Sequence, residues 1–150
     1  MNLKKIFCWP PLLAGIGASV TIGILGYITY QSILSDTNYG LWLFASFGST
    51  AVIVFGYPNN EFSQPKNIFF GHLLTSFVGV VFLTFFEVNF ITIAIAVGVA
   101  IMFMIAFKIT HPPAGGNPIA VMLGGVSFQF LIFPVMVGAI TIIIGGIIYN

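Results

Sequence analysis

Long apolar runs alternate with short polar breaks along this chain. The first run is Leu12 to Leu34. Pro10 and Pro11 precede it and suit a helix start, where an N–H would have no partner in any case. Ser35-Asp36-Thr37-Asn38 reads as a polar turn. Leu41 to Tyr57 is a second apolar segment, short for a span and interrupted at Gly48-Ser49-Thr50. Pro58 to Lys66 is the longest polar loop. Asn67 to Phe86 is a third span, Glu87-Val88-Asn89 a tight turn, and Phe90 to Phe107 a fourth span ended by Lys108. Ile119 to Val126 is too short to cross a bilayer alone as a helix. Gln129 marks a turn before the final span, Phe130 to Tyr149. Several runs reach or approach the ~20 residues that a spanning helix needs. The pattern predicts an all-α polytopic membrane protein, one membrane domain over residues 1–150.

Between the fourth span and the short segment lies Thr110-His111-Pro112-Pro113-Ala114-Gly115-Gly116-Asn117-Pro118. Its three prolines and two glycines are incompatible with a regular helix. Non-helical backbone at membrane depth survives only where protein buries it or water reaches it. The stretch therefore reads as the wall of a site.

Composition agrees. The chain is 59% hydrophobic and 5% charged, with mean hydropathy +1.11. A soluble domain carries about a quarter charged residues. The runs are continuous, which excludes the short alternating segments of an outer-membrane barrel. A net charge of +1 gives no basic surface for nucleic acid. Cys8 has no second cysteine to pair with. No group of Cys, His and carboxylates has metal-ligand spacing, and no cofactor is expected. The start resembles a signal peptide, but Trp9-Pro10-Pro11 interrupts the apolar core and the run that follows is too long. Cleavage is not expected.

The lysines give an orientation. Lys4 and Lys5 put the amino terminus in the cytoplasm. If Leu41 to Tyr57 crosses, Lys66 and Lys108 also fall inside, while Asp36 and Glu87 fall outside. The expectation is a multi-pass protein of the plasma or inner membrane. A shift of 67 residues carries Gly48 onto Gly115, Val54 onto Val121, Gly71 onto Gly138 and Gly79 onto Gly146. That predicts two three-element halves, about 12–86 and 90–149, each with one short interrupted helix. Three crossings per half invert the second half against the first, as in many secondary transporters.

Two glycine-led breaks, Gly48-Ser49-Thr50 and Gly115-Gly116-Asn117, would each begin a short helix whose free N–H groups and positive dipole end attract anions. Ser49, Thr50 and Asn117 would cap those helices or donate to a ligand. The alternative is that these are only breaks with close packing. His111 is placed at the cytoplasmic mouth, or serves as a cap. His72 lies about 9 Å along its helix from Lys66, on one face with Thr75, Ser76 and Gly79. It lines a pathway or makes an interhelical hydrogen bond. Gly71, Thr75 and Gly79 also read as a small-residue packing face. No nucleophile–base pair or carboxylate dyad suggests an enzyme.

Thr110-His111-Pro112-Pro113-Ala114-Gly115 resembles the signature of the HPP family of integral membrane proteins, named for His-Pro-Pro. Ser46-Phe47-Gly48-Ser49-Thr50-Ala51-Val52 is similar to that family's Gly-Ala-Thr-Ala segment. Gln64-Pro65-Lys66-Asn67 and Gly71-His72-Leu73-Leu74 resemble its Gln-Pro-(Arg/Lys)-Asn and Gly-His-Leu block. The chain departs at Gly116-Asn117-Pro118, where Ala-Thr-Ala is commoner. The resemblance implies membrane transport, with nitrite the substrate proposed for plastid and cyanobacterial members. Expected substrate contacts are Gly48, Ser49, Thr50, Lys66, Asn67, His72, His111, Pro112, Pro113, Gly115, Gly116 and Asn117. The expected partners are a small anion and the bilayer, in a homo-oligomer. The competing readings are a passive channel for a small neutral solute and a structural or regulatory module without transport.

Overall fold

The computed structural model describes residues 9–33 and 41–150. Lys4, Lys5, Cys8, Asp36 and the expected turn at Ser35–Asn38 lie outside the described residues. Every regular element described is helical: α1 (Trp9–Ile33), α2 (Leu41–Gly56), α3 (Pro65–Phe85), α4 (Phe90–Ala106), α5 (Asn117–Gly124) and α6 (Val137–Tyr149). Short 3-10 turns cover Glu61–Ser63 and Pro112–Gly116, and a wider helical turn, Leu131–Met136, leads into α6. Three helical stretches are long and apolar enough to cross a membrane, Pro11–Tyr30, Pro65–Phe85 and Leu131–Tyr149. α2 and α4 are shorter apolar helices.

Helix starts and stops follow local chemistry. Pro65 opens α3 in its first turn. Asn89 caps α4 by accepting from the N–H groups of Ile91 and Thr92, and the Thr92 hydroxyl accepts from the Asn89 N–H in return. That reciprocal pair is why Glu87-Val88-Asn89 makes the tight turn the sequence predicts. α4 ends where Lys108 enters the left-handed region, at φ 54°. α5 ends at Gly125, φ 62°, a conformation glycine adopts without a Cβ clash. The final span is kinked at Phe133, whose backbone is extended (φ −130°, ψ 123°) before Pro134. Gln129 already lies in helix, and the turn sits just before it.

Contacts fix the direction of each element. Asn67 Nδ2 donates to the Thr110 carbonyl, 2.9 Å away, so the start of α3 and the end of α4 share one end of the bundle. Lys66 and Lys108 are therefore at that end, and Glu87 is at the other. From there the segment 110–124 runs alongside α3. His111 and Ala114 lie over Gly71, and Pro118 and Val121 over Gly79. Met122 packs with Val78. α6 returns: Tyr149 stacks edge-on to Phe55 near the end of α2, with ring centroids 5.2 Å apart. Gly17 of α1 lies against both rings. The six helices thus alternate in direction.

One expectation fails here. α2 is continuous through Gly48-Ser49-Thr50. Neither side chain opens the ladder: Ser49 donates to the Ala45 carbonyl (3.1 Å), and Thr50 Oγ1 lies 3.0 Å from the Ser46 carbonyl. An apolar surround leaves an unpaired peptide group no water to bond, so helix persists. The second break is real. Pro112–Gly116 forms a 3-10 turn, and an eight-residue α5 follows.

The main core joins Leu25, Phe47, Val54, Phe55, Ile68, Val80, Val121, Val135 and Ile142. A smaller cluster joins Val78, Ala96, Ala100 and Met122. Large apolar side chains also point outward, among them Phe90 (82% exposed) and Ile148 (80%), as expected where the surround is hydrocarbon. Between α1 and α6 an apolar surface groove of about 490 Å3 is lined by residues such as Ile16, Val20, Ile144 and Ile148.

Candidate functional site

The polar residues that hydrophobicity cannot explain converge on one place. Thr50, His72, Thr75, Ser76, His111 and Asn117 are all 0% exposed. They come from α2, α3 and the 110–117 segment. Close approach depends on Gly71: a methyl group there would lie 2.8 Å from His111 Cβ and 3.3 Å from the Ile109 carbonyl. Only a residue without a side chain lets the His-Pro-Pro segment lie this close to α3.

At the centre, the Thr50 hydroxyl bridges the two histidines. Its Oγ1 is 2.9 Å from His72 Nε2 and 2.9 Å from His111 Nε2. The ring centroids of His72 and His111 are 5.0 Å apart. His111 Nδ1 lies 2.6 Å from the Phe62 carbonyl. His72 Nδ1 lies 3.0 Å from Asn117 Nδ2, which also donates to the His72 carbonyl (3.2 Å) and to Ser76 Oγ (3.1 Å).

The atoms at the two ends fix the protons between them. A carbonyl only accepts, so His111 Nδ1 carries hydrogen and, in a neutral ring, Nε2 accepts. Thr50 then donates to His111 Nε2. Its oxygen accepts from His72 Nε2–H, which leaves His72 Nδ1 to accept from Asn117. The His72 carbonyl fixes the Asn117 amide the same way, since only an NH2 group can face it. The result is one head-to-tail chain from Asn117 through His72, Thr50 and His111 to the Phe62 carbonyl, with every ring neutral. Asn117 Oδ1 is left buried and without a hydrogen-bond partner.

The surroundings support this chain. Phe47 lies over the His72 ring, with centroids 4.7 Å apart at 35°. The Cε2–Cζ edge of Phe47 meets the backbone of α6 at Gly138. Ser46 Oγ donates to the Pro113 carbonyl at 2.8 Å, tying α2 to the 3-10 turn. The Phe62 carbonyl is held by a loop folded around Ser63, whose hydroxyl lies within 3.1 Å of the Tyr57, Pro58 and Asn60 carbonyls. Asn60 caps the turn by accepting from the Phe62 N–H at 2.8 Å.

Of the residues singled out in the sequence, the structure brings together Thr50, His72, His111 and Asn117. Asn67 and Pro113 support them through the bonds to Thr110 and from Ser46. Ser49, Lys66, Pro112 and Gly116 are exposed, and Gly48 and Gly115 half-buried. Gly48 faces a surface groove between α1 and α2, beside Ala14, Ala18 and Val52. As interior helix residues, Gly48, Ser49 and Thr50 offer no helix-start N–H groups. Three participants were not among the expected substrate contacts: Ser46, Phe47 and the Phe62 carbonyl. Ser46 had a signal, since it lies one helical turn before Thr50. Glu61, Lys66, Glu87 and Lys108 are exposed, so the cluster holds no fixed charge. No group of three or more metal-ligating side chains occurs among the described residues.

The family profile described as "HPP, transmembrane region" matches residues 6–150. A transmembrane protein of Dictyostelium discoideum is 33% identical over 135 residues, which cover 85% of this chain and 47% of the relative. A second transmembrane protein of the same organism is 29% identical over 137 residues, covering 86% of this chain and 44% of that relative. The chain thus spans less than half the length of these curated relatives. No solved structure matches.

Proposed function

This chain belongs to the HPP transmembrane family, and from that premise we propose that it moves a small solute across a membrane past the Thr50–His72–His111–Asn117 cluster. One observation carries the reading. A fully buried polar cluster sits in an otherwise apolar bundle where a helix is broken, which is where transporters of broken-helix design hold their substrates. A packing module needs no histidine pair at that depth.

The solute we propose is a small anion, with nitrite the first candidate. α5 begins beside the cluster with the positive end of its dipole, and the histidines and Thr50 supply N–H and O–H groups once the 110–117 segment moves. The site is narrower than two breaks would have made it, because α2 keeps its backbone donors to itself. One observation favours the alternative of a small neutral solute: the unpartnered atom, Asn117 Oδ1, is an acceptor and calls for a donor.

Three further readings go with the proposal. The end carrying Lys66 and Lys108 faces the cytoplasm of the plasma or inner membrane. The chain works as a homo-oligomer, since one copy offers few helices to surround a route. The halves are an inverted repeat. Contacts support this last reading: Gly79 meets Val121 as Gly146 meets Val54, and Gly71 meets Ala114 as Gly138 meets Phe47. A 67-residue exchange between halves maps each pair onto its counterpart, and joins Ser46 to Pro113, which are bonded to each other.

The test is nitrite uptake into proteoliposomes holding the purified protein, comparing wild type with Asn117→Leu and His72→Ala. Saturable uptake by wild type, lost in both variants, is the expected result. Absence of uptake by folded wild type sinks nitrite as substrate, and uptake of a small neutral solute in its place favours the alternative.

A further inference from the structure

The bridge at Thr50 has a property that substrate binding alone does not need. Its oxygen lies within hydrogen-bond distance of three groups: His72 Nε2 and His111 Nε2, each at 2.9 Å, and the Ser46 carbonyl at 3.0 Å. A hydroxyl has one hydrogen and two lone pairs. At rest its hydrogen points to His111. If both imidazoles carry hydrogen on Nε2, the oxygen accepts from both and its own hydrogen turns to Ser46. The bridge is thus satisfied whether one or both facing nitrogens are protonated.

We propose that His72, Thr50 and His111 form a proton-transfer chain between Asn117 in the bundle interior and the loop holding Phe62. This rests on the reading that the cluster lies on a transport route, but not on which solute moves.

The transfer balances. A proton binds His72 Nδ1. The Nε2 hydrogen of His72 passes to Thr50 Oγ1 while the Thr50 hydrogen passes to His111 Nε2. His111 then gives up its Nδ1 hydrogen to water on the loop side, since the Phe62 carbonyl it faces accepts a hydrogen bond but does not take up a proton. One proton enters and one leaves.

The passage also reverses the polarity of the chain. His72 now carries hydrogen on Nδ1 and needs an acceptor beside it. Asn117 Oδ1, buried and unpartnered at rest, supplies one if the amide turns over, at the expense of the bonds its NH2 group makes to the His72 carbonyl and Ser76. At the other end, His111 Nδ1 now presents a lone pair to the Phe62 carbonyl, 2.6 Å away. Two acceptors repel at that distance, so the contact that ties the 110–117 segment to the loop opens until the chain resets. Proton passage is thereby linked to movement of the segment that closes the site.

The groups facing the chain are few. α2 contributes no titratable side chain among its described residues. The turn at Glu61–Ser63 contributes Glu61, and α3 contributes Lys66 and His72. Lys108 lies beyond α4, and the 110–117 segment adds only His111. α6 approaches through Gly138 and contributes Tyr149 at its distant end. Since Glu61, Lys66 and Lys108 are exposed, nothing holds a proton permanently inside, and a proton in transit is not trapped.

The experiment uses proteoliposomes with a pH dye inside and an imposed inside-negative potential, with and without external nitrite. Wild type is expected to acidify the lumen, Thr50→Val to fall to the rate of protein-free vesicles, and Thr50→Ser to keep the flux. Proton movement without nitrite uptake leaves the chain standing and removes nitrite as solute. Nitrite uptake by wild type without proton movement overturns the chain and leaves transport intact. Movement of neither by folded wild type overturns both. Should Thr50→Val fail to fold, nitrogen NMR of histidine-labelled wild type decides. The expected resting tautomers are Nε2–H for His72 and Nδ1–H for His111, and the opposite tautomer at His72 overturns the proposal.

Discussion

Gly146 lies directly against Val54: a methyl group on this glycine would sit 2.5 Å from Val54 Cγ1, with its next neighbour 4.0 Å away. Val54 alone closes that space. Gly146→Ala is therefore expected to destabilise by about 1–3 kcal/mol through overpacking, and Val54→Ala to restore most of the loss in the double variant. The counterpart pair behaves differently. A methyl group on Gly79 would meet Val121 and also the Pro118 Cα at 2.9 Å, so Val121→Ala should not rescue Gly79→Ala. Thermal unfolding in detergent measures both cycles.

Asn117 Nδ2 lies within hydrogen-bond distance of three buried groups, which its two hydrogens share. Asn117→Leu leaves His72 Nδ1 without a donor, a loss expected to cost about 1–3 kcal/mol. A melting temperature equal to wild type would mean that the amide is not holding the cluster together.

His111 closes the loop at residues 57–64 through the Phe62 carbonyl. His111→Ala should leave the α3–α4 hairpin protected while amide exchange in the loop speeds up, read by hydrogen-exchange mass spectrometry. Unchanged exchange there would show that Ser63 and Asn60 hold the loop by themselves.

Lys108 occupies the left-handed region at φ 54°. There a side chain costs roughly 1–2 kcal/mol that glycine avoids. Lys108→Gly is expected to raise the melting temperature, whereas Lys108→Ala keeps the Cβ and should not.

Single cysteines placed by Lys66→Cys, Lys108→Cys and Glu87→Cys in a Cys8→Ser background test the orientation. The first two should react alike with an impermeant maleimide, and Glu87→Cys oppositely. If the lysine end is cytoplasmic, only the glutamate position is labelled in intact cells.

The helical runs were legible because apolar length is the signal a bilayer demands, and α3, α4 and the final span appear close to where hydropathy puts them. The break at Pro112–Gly116 was legible because proline removes donors. Gly48-Ser49-Thr50 misled because glycine and hydroxyl residues loosen a helix in water, whereas in an apolar surround the Ser49 hydroxyl folds back onto the Ala45 carbonyl and the Thr50 hydroxyl is engaged by the two histidines. Both histidines stood out as rare polar groups in an apolar chain. Their meeting through one hydroxyl did not, since Thr50 and His111 are 61 residues apart. The Phe62 carbonyl was invisible, as a backbone acceptor has no letter in the sequence. Phe47 is one of 17 phenylalanines, and only its place beside Gly48-Ser49-Thr50 sets it apart from lipid-facing bulk.

Phe47 has a mechanical consequence. One face of its ring covers His72, and the Cε2–Cζ edge meets the α6 backbone at Gly138, four residues past Pro134 in the kinked final span. No side chain cushions that second contact. α6 therefore cannot slide toward α2 without pushing the ring, and the ring cannot yield without disturbing the imidazole beneath it. The aromatic side chain acts as a follower riding on a bare stretch of helix, so that the state of the buried chain and the position of the last helix report on each other.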